Sequence, residues 1–504
     1  MRSTHRTPSP TLFAVSFALA ALTARANNIA VSGTTLTGST GTTVQVQFNL
    51  SWENSWRGGG VANWDAAWVF VKYRTSMSGT WQHAKLSNTG HVAAAGSQID
   101  TGLLDPSTAY SSSTNPVMGT FIYRNATGTG SLSLPATQLQ WNIGAQGVNF
   151  NDIAQIQVFA IEMVYVPQGA FAIGSGGTET NAFELTTINT GIATTPPSGV
   201  GSLGGQAGGY PTSYPAPTHP GYHNGFNAFY CMKYELSQQG YVDFLNTRSY
   251  TEQAGLTANP PNSAAGTGAL ITGNTNRNGI DIQTPGSALT PAVYACNLDD
   301  DNNYGEDGDG KDLACNFVSV GDLFRYLGWS CLRPITEMEF EKACRGGSPP
   351  HPNEFAWGTM DIDTVSYSLV NAGMATEGIA GGYNTLGNAH YGYTSSLVAG
   401  PMRVGTFAAN FSNTGRRSAG ATYYGIMEMS GNLWERVDPY SYASTGHGDG
   451  NGIHDTWPAG YNGYRGGNWN GPAALLRVSD RTYVWYISNA RTNDIGGRGV
   501  RTAP

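Results

Sequence analysis

The chain has 504 residues with 26 Lys+Arg against 34 Asp+Glu, a formal charge of −8. Charged residues make up 12%, about half the share of roughly 25% in ordinary domains, while glycine (67) is over-used and aromatics are abundant. This excludes a disordered chain, which needs low hydrophobicity and high net charge, and a basic nucleic-acid binder. Low charge with abundant Gly, Ser, Thr, Asn, Tyr and Trp suits an extracellular, loop-rich, β-containing protein.

Residues 1–26 read as an export signal. Arg2, His5 and Arg6 precede an apolar run from Leu12 to Leu22, and Ala24-Arg25-Ala26 supplies a cleavage pattern. The run is shorter than the about 20 apolar residues a membrane span needs, and no later segment is long enough. The expectation is an exported protein starting near Asn27, extracellular, cell-surface or periplasmic, with no membrane span.

Residues 27–161 read as strands and turns. Val44, Val46, Phe48, Leu50 and Trp52 alternate with polar residues, which predicts one buried and one wet face. Ala67–Tyr73 is a more fully buried strand, and Thr120–Tyr123, Leu132–Leu134, Gln138–Trp141 and Ile153–Ile161 add others. Short strands with Gly/Ser/Asn turns predict a β-sandwich domain, a spacer or docking module through which the chain could self-associate. From Met163 the pattern changes. Helices are predicted over Tyr234–Leu245, Val320–Leu327 and Glu337–Ala343, the last opened by a Thr336…Glu339 capping box. Glycine, proline and asparagine punctuate the rest, so residues 162–504 read as a loop-rich α+β domain.

Two features of that domain suggest bound ions or cross-links. Asp299, Asp301 and Asn303, followed by Asp307, Asp309 and Asp312, place hard oxygen donors on a glycine-bearing loop, the chemistry calcium prefers. Cys296 and Cys315 flank this loop, and an exported chain can join such a pair as a disulfide.

Seven segments appear in the order found in the formylglycine-generating enzyme, or sulfatase-modifying-factor, family. They are Met163–Gly174; Tyr230–Ser237; Leu332–Ala343; Phe355–Gly358; Tyr424–Glu435, ending Gly431-Asn432-Leu433-Trp434-Glu435; Arg465-Gly466-Gly467-Asn468-Trp469; and Gly496-Gly497-Arg498-Gly499-Val500-Arg501. The chain resembles that family over about residues 162–504, and the resemblance implies a C-type-lectin-like α+β fold. It implies calcium around Ser430, Gly431, Leu433 and Glu435, and a second calcium site starting at Asn371 and Ala372. The family's oxidase chemistry uses two cysteines shortly after the Arg-Gly-Gly motif to bind copper(I) and convert a substrate cysteine to formylglycine. Here no cysteine follows Cys344. Copper(I) selects soft thiolates, so no copper is expected.

Physically, Gly466-Gly467 fits positive φ or close approach, and Trp357, Trp434 and Trp469 fit core rings with satisfied indole N–H groups. Between Gly467 and Gly496 the chain carries Trp469, Asn470, Tyr483, Trp485, Tyr486, Asn489 and Asn493, residue types that dominate contact surfaces. The leading reading is a secreted or surface binding protein on a family scaffold without the reactive thiols, taking a protein or glycan ligand. The layout also resembles variable proteins of diversity-generating retroelements, which share the fold. The alternatives are a metal-dependent oxidase or modifying enzyme of the family, and a structural surface or matrix component.

Overall fold

A computed structural model describes residues 28–60, 62–191, 222–364, 366–380, 385–392, 398–409, 415–439, 449–453, 462–484, 486 and 488–504. The expected signal at 1–26 and Trp485 lie outside the described residues.

The alternating run forms the strand Val44–Arg57, whose inward residues Val44, Val46, Phe48, Leu50 and Trp52 are buried. It pairs antiparallel with Ala30–Thr37 on one side and Gly128–Trp141 on the other. This three-stranded sheet shares a core with Ala67, Val69, Val71 and Tyr73 of the strand Asp65–Arg74. The opposite face of that strand sends Ala66, Trp68 and Phe70 into a second core with the helical part of the chain. Asp65–Arg74 is therefore the middle of three layers, which is why its sequence is apolar on both faces.

The strand Gln155–Val166 changes the expected domain boundary. It pairs with Asp65–Arg74 along its length, from Gln155 opposite Arg74 to Val164 opposite Asp65. Its end also pairs with Phe229–Met232, Met163 lying opposite Met232. One sheet thus runs Gly463–Arg465, Trp434–Asp438, Arg333–Thr336, Gly499–Thr502, Phe229–Met232, Gln155–Val166, Asp65–Arg74, Val117–Arg124, Ser97–Leu103. The predicted cut between 161 and 162 falls inside a strand, and the N-terminal strands are continuous with the rest of the fold.

Side chains seal this junction. Trp68 Nε1 donates to the Ser330 carbonyl at 2.8 Å, Lys72 Nζ donates to the Trp329 carbonyl at 2.7 Å, and Lys233 Nζ meets Glu162 at 2.9 Å. The Trp68 ring lies over Gly119 and Gly102, where a Cβ would come within 2.6 Å of it, and the Arg501 guanidinium covers it at 4.5 Å.

Among the described residues, four short helices complete the C-terminal part. These are α1 (Gln238–Leu245), α2 (Tyr250–Leu256), α3 (Val320–Trp329) and α4 (Glu337–Arg345). Each is capped by the preceding hydroxyl, Ser237, Ser249, Ser319 or Thr336, and the last three have full capping boxes. Among the described residues no helix is long and apolar enough to cross a membrane.

The loops are held by buried arginines. Arg333 pairs with Glu339 at 2.7 Å; Arg465 meets Glu337 at 3.0 Å and Glu341 at 2.7 Å; Arg481 meets Glu337 at 2.7 Å. Burial alone would raise the Glu341 carboxyl, yet Arg465 and Arg345 hold it below its ordinary value. The five-donor guanidinium can bind a carboxylate and a loop carbonyl together, and Arg465 does so with Glu341 and the Val478 carbonyl. Such clamps serve where loops have few ladder bonds.

The cysteines correct one expectation. Cys296 and Cys315 are not bridged: all five cysteines are free, buried thiols. The two lie in the same hydrophobic core, packed as small apolar side chains.

Candidate binding face and cation loop

The C-terminal segment is anchored at both ends. Arg481 pairs with Glu337, and Val484 is fully buried. Gly463 allows close approach, since a Cβ there would lie 2.3 Å from the Val484 carbonyl oxygen. Beyond it, Arg436 donates to the Ser488 carbonyl at 3.2 Å and to the Tyr464 hydroxyl at 3.0 Å. On this base stand two exposed rings, Tyr483 (38%) and Tyr486 (52%). Their centroids are 5.9 Å apart, edge to face. Tyr483 packs on Trp434 at 5.4 Å and Tyr486 on Tyr464 at 5.8 Å, and both supporting rings are buried. The arrangement gives rigid aromatic area and two hydroxyls at the surface.

The other residues expected on this face divide. Asn470 is exposed, and Asn489 is exposed with its Oδ1 accepting the Gly321 N–H at 3.3 Å. Asn493 is half-buried and structural: its carbonyl accepts the Trp469 indole N–H at 3.0 Å, and its amide donates to Asn276 at 3.1 Å. Trp469 is a core ring, 2% exposed and packed with Tyr234, Val404 and Leu433, which corrects its placement on the contact surface and agrees with its scaffold reading. Gly466 and Gly467 have φ of 85° and 74°, as the double glycine suggested.

Of the positions carried over for calcium, Glu435 and Ser430 have side-chain partners, and Gly431 and Leu433 are held through their N–H groups. Both oxygens of Glu435 accept Arg498 Nε at 2.7 Å. Ser430 Oγ donates to the Leu476 carbonyl and accepts the Ala356 N–H. Gly431, with φ of 92°, donates to the Gly466 carbonyl, and the Leu433 N–H donates to Glu235 at 2.9 Å. The Glu435 carboxylate, expected as a calcium ligand, is paired here with the Arg498 guanidinium. Asn371 and Ala372 lie exposed in a turn, where the Asn371 carbonyl accepts the Met374 N–H.

In the acidic loop the structure selects a smaller set than the sequence suggested. Asp299 and Asp309 come together with Glu306, their ligand oxygens within 4.8 Å of one another. Asp301 accepts the Asn303 N–H at 2.7 Å, and the Asn303 amide donates to Glu306 at 2.6 Å. Asp307 is exposed. Asp312 turns away to line a small pocket with Glu162, Glu235 and Asp243. Glu306 was not singled out in the sequence; its spacing from Asp299 and Asp309 matches no regular loop motif.

No thiol is poised for chemistry. Burial pushes Cys231 up to about 12 and Cys331 up to about 11, and raises Cys296, Cys315 and Cys344 as well. Thiolate is the reactive form, and burial suppresses it.

The fused sheet, the short capped helices and loops clamped by buried arginines define a loop-rich α+β protein. Residues 150–503 match the model of the sulfatase-modifying factor enzyme 1-like domain, and the chain belongs to that family. A solved structure of Treponema denticola variable protein 1 is similar at 12% identity and a TM-score of 0.32, covering 68% of this chain and 96% of that one. A search of curated proteins finds no match to the chain.

Proposed function

We propose that this chain is an exported binding protein that uses the family scaffold to present an aromatic face, with Tyr483 and Tyr486 at its centre and Asn470 and Asn489 as flanking polar contacts. The observation that carries the reading is the pair of exposed, mutually packed tyrosines standing on buried Trp434 and Tyr464. Rings exposed together cost a monomer solvation free energy and usually mark an interaction site. Their rigidity lowers the ordering entropy lost on binding. A protein or glycan surface suits this face, since both combine apolar area with hydroxyl and amide partners. Export rests on the N-terminal signal pattern; sequencing the mature N-terminus should find Asn27 first. The absence of cysteine after Cys344 and the burial of the remaining thiols speak against copper oxidase chemistry. The similar Treponema protein is named as variable, and comparing this gene's 3′ end among isolates would show whether the face varies here.

The test is a glycan and peptide array probed with the native protein and a Tyr483→Ala/Tyr486→Ala double variant. Binding that is lost in the variant, with its melting temperature retained, supports the reading. Binding that is identical in both proteins overturns it.

A further inference from the structure

We infer that the acidic loop 299–309 is a calcium site built from Asp299, Glu306 and Asp309. The three carboxylates converge from separate points of the loop, with ligand oxygens within 4.8 Å of one another. Calcium–oxygen distances are about 2.3–2.6 Å, so oxygens on opposite sides of one ion lie about 4.8 Å apart. A magnesium ion needs a tighter, near-octahedral shell at about 2.1 Å.

A second observation points to a ligand independently of this clustering. Asp309 is 2% exposed; its Oδ2 accepts the N–H groups of Gly305 and Glu306, while Oδ1 is buried with no hydrogen-bond partner. A buried carboxylate oxygen left without a donor is costly, and a cation satisfies it directly. The surrounding charge has the same sense. Asp301 and Asp307 add two more acidic side chains to the same loop. Gly308 lets the Asp299 carboxylate lie close against the loop, since a Cβ there would come within 2.4 Å of Asp299 Oδ2.

The site reaches a neighbouring turn. The Gly310 N–H donates to the Gly373 carbonyl at 3.0 Å, and Glu377, in that turn, accepts the Gly373 N–H at 2.8 Å. Arg277 and Glu377 form an ion pair behind it. Cation binding would therefore order both the acidic loop and the turn carrying Asn371 and Ala372, two regions that the sequence offered as separate metal sites. Affinity on the order of 10⁻⁴–10⁻³ M suits three carboxylates on an exposed loop in an exported protein.

The experiment uses the full mature protein. Terbium(III), a calcium mimic, is titrated with excitation of tyrosine, because Tyr304 lies in the loop, its hydroxyl 3.3 Å from Asn302. Sensitised emission that calcium reverses and magnesium does not is expected, together with a rise of about 2 °C in Tm at saturating calcium. Glu306→Gln and Asp299→Asn, both at the accessible side of the loop, should each weaken terbium binding about tenfold or more. Asp307→Asn, outside the cluster, should leave it within about twofold. Asp309→Asn adds a test of the buried oxygen if it folds; the other two variants decide the matter if it does not. The inference is overturned if calcium leaves the native Tm unchanged, or if Glu306→Gln and Asp299→Asn bind terbium like the native protein.

Discussion

Arg498 Nε lies 2.7 Å from both carboxylate oxygens of Glu435, and both side chains are fully buried. The same guanidinium donates to the carbonyls of Met232 and Met427, joining the strand Phe229–Met232 to the loop at Met427. Two further acids, Glu235 and Glu428, lie close enough to feel this charge. Replacing Arg498 with Met would leave the buried Glu435 carboxylate without its arginine and remove a favourable charge from Glu235 and Glu428. The expected cost is about 3–5 kcal/mol, the range for removing one partner of a buried pair. Glu435→Gln keeps an oxygen acceptor and should cost less. Urea unfolding measures both, and calcium should not rescue either variant, because this carboxylate serves the arginine. A calcium-dependent recovery of Glu435→Gln would contradict the assignment.

The continuous sheet makes a cooperative prediction. The Gln155–Val166 strand belongs to both halves of the chain, and Glu162 meets Lys233 across the seam at 2.9 Å. Separate domains joined by a linker would melt independently. Here calorimetry should show one main transition, with far-ultraviolet dichroism and tryptophan fluorescence changing together. Lys233→Met should lower that single transition by disrupting the pair with Glu162. Two resolved transitions, only one of them moved by Lys233→Met, would refute this.

The particular elements show what the sequence made legible. The Val44–Trp52 alternation was readable because one face is wet and one buried. The run at Ala67–Tyr73 announced burial, but not that its two faces serve different cores. Leu132–Leu134 and Gln138–Trp141 read as two strands and form one, Gly128–Trp141, interrupted by Ala136 at a φ of 52°. Helix α2 was missed although its Ser249…Glu252 capping box is written in the chain; seven residues give too short a period to see. The arginine clamps were not legible at all, because partners such as Arg481 and Glu337 are 144 residues apart and neither motif names the other. In the candidate sites, Tyr483 and Tyr486 followed from composition, whereas the burial of Trp469 and the inclusion of Glu306 depend on three-dimensional packing.

Glu428 gives a pH dependence. Burial raises its carboxyl to about 7 from an ordinary 4.5; Oε1 accepts the Gly405 N–H at 2.7 Å while Oε2 is buried without a partner. Between those two values the folded state holds a proton that the unfolded state has released. Its contribution is therefore fully present below about pH 4.5 and is lost as pH rises through about 7. The size is roughly 3 kcal/mol for a shift of this extent. Glu428→Gln resembles the protonated acid at every pH. Relative to the native protein, its stability should improve by about 2 kcal/mol on going from pH 5 to pH 8. Urea titrations of both proteins at the two pH values check this, and a difference independent of pH would show that the carboxyl is ionised throughout.

The contrast between Trp469 and the two exposed tyrosines separates scaffold from face. Trp469 is 2% exposed, packs on Leu433, and its indole N–H is used by the Asn493 carbonyl. Trp469→Ala removes a packed ring and one of two donors to the Asn493 carbonyl, which Asn316 also serves, so it should destabilise the fold by about 3–5 kcal/mol. Tyr486 is 52% exposed, and its ring rests on Tyr464 without closing a core. Tyr486→Ala should cost less than about 1 kcal/mol of stability, as surface substitutions usually do. Tyr483, at 38% exposure and in contact with Trp434, should lie between these limits. If the face binds as proposed, each tyrosine truncation should weaken the ligand found on the array by about 2 kcal/mol. Equal drops in melting temperature for Tyr486→Ala and Trp469→Ala would place both rings in the core and remove the basis for a binding face. A stable Tyr486→Ala protein with weakened binding would assign that ring to recognition.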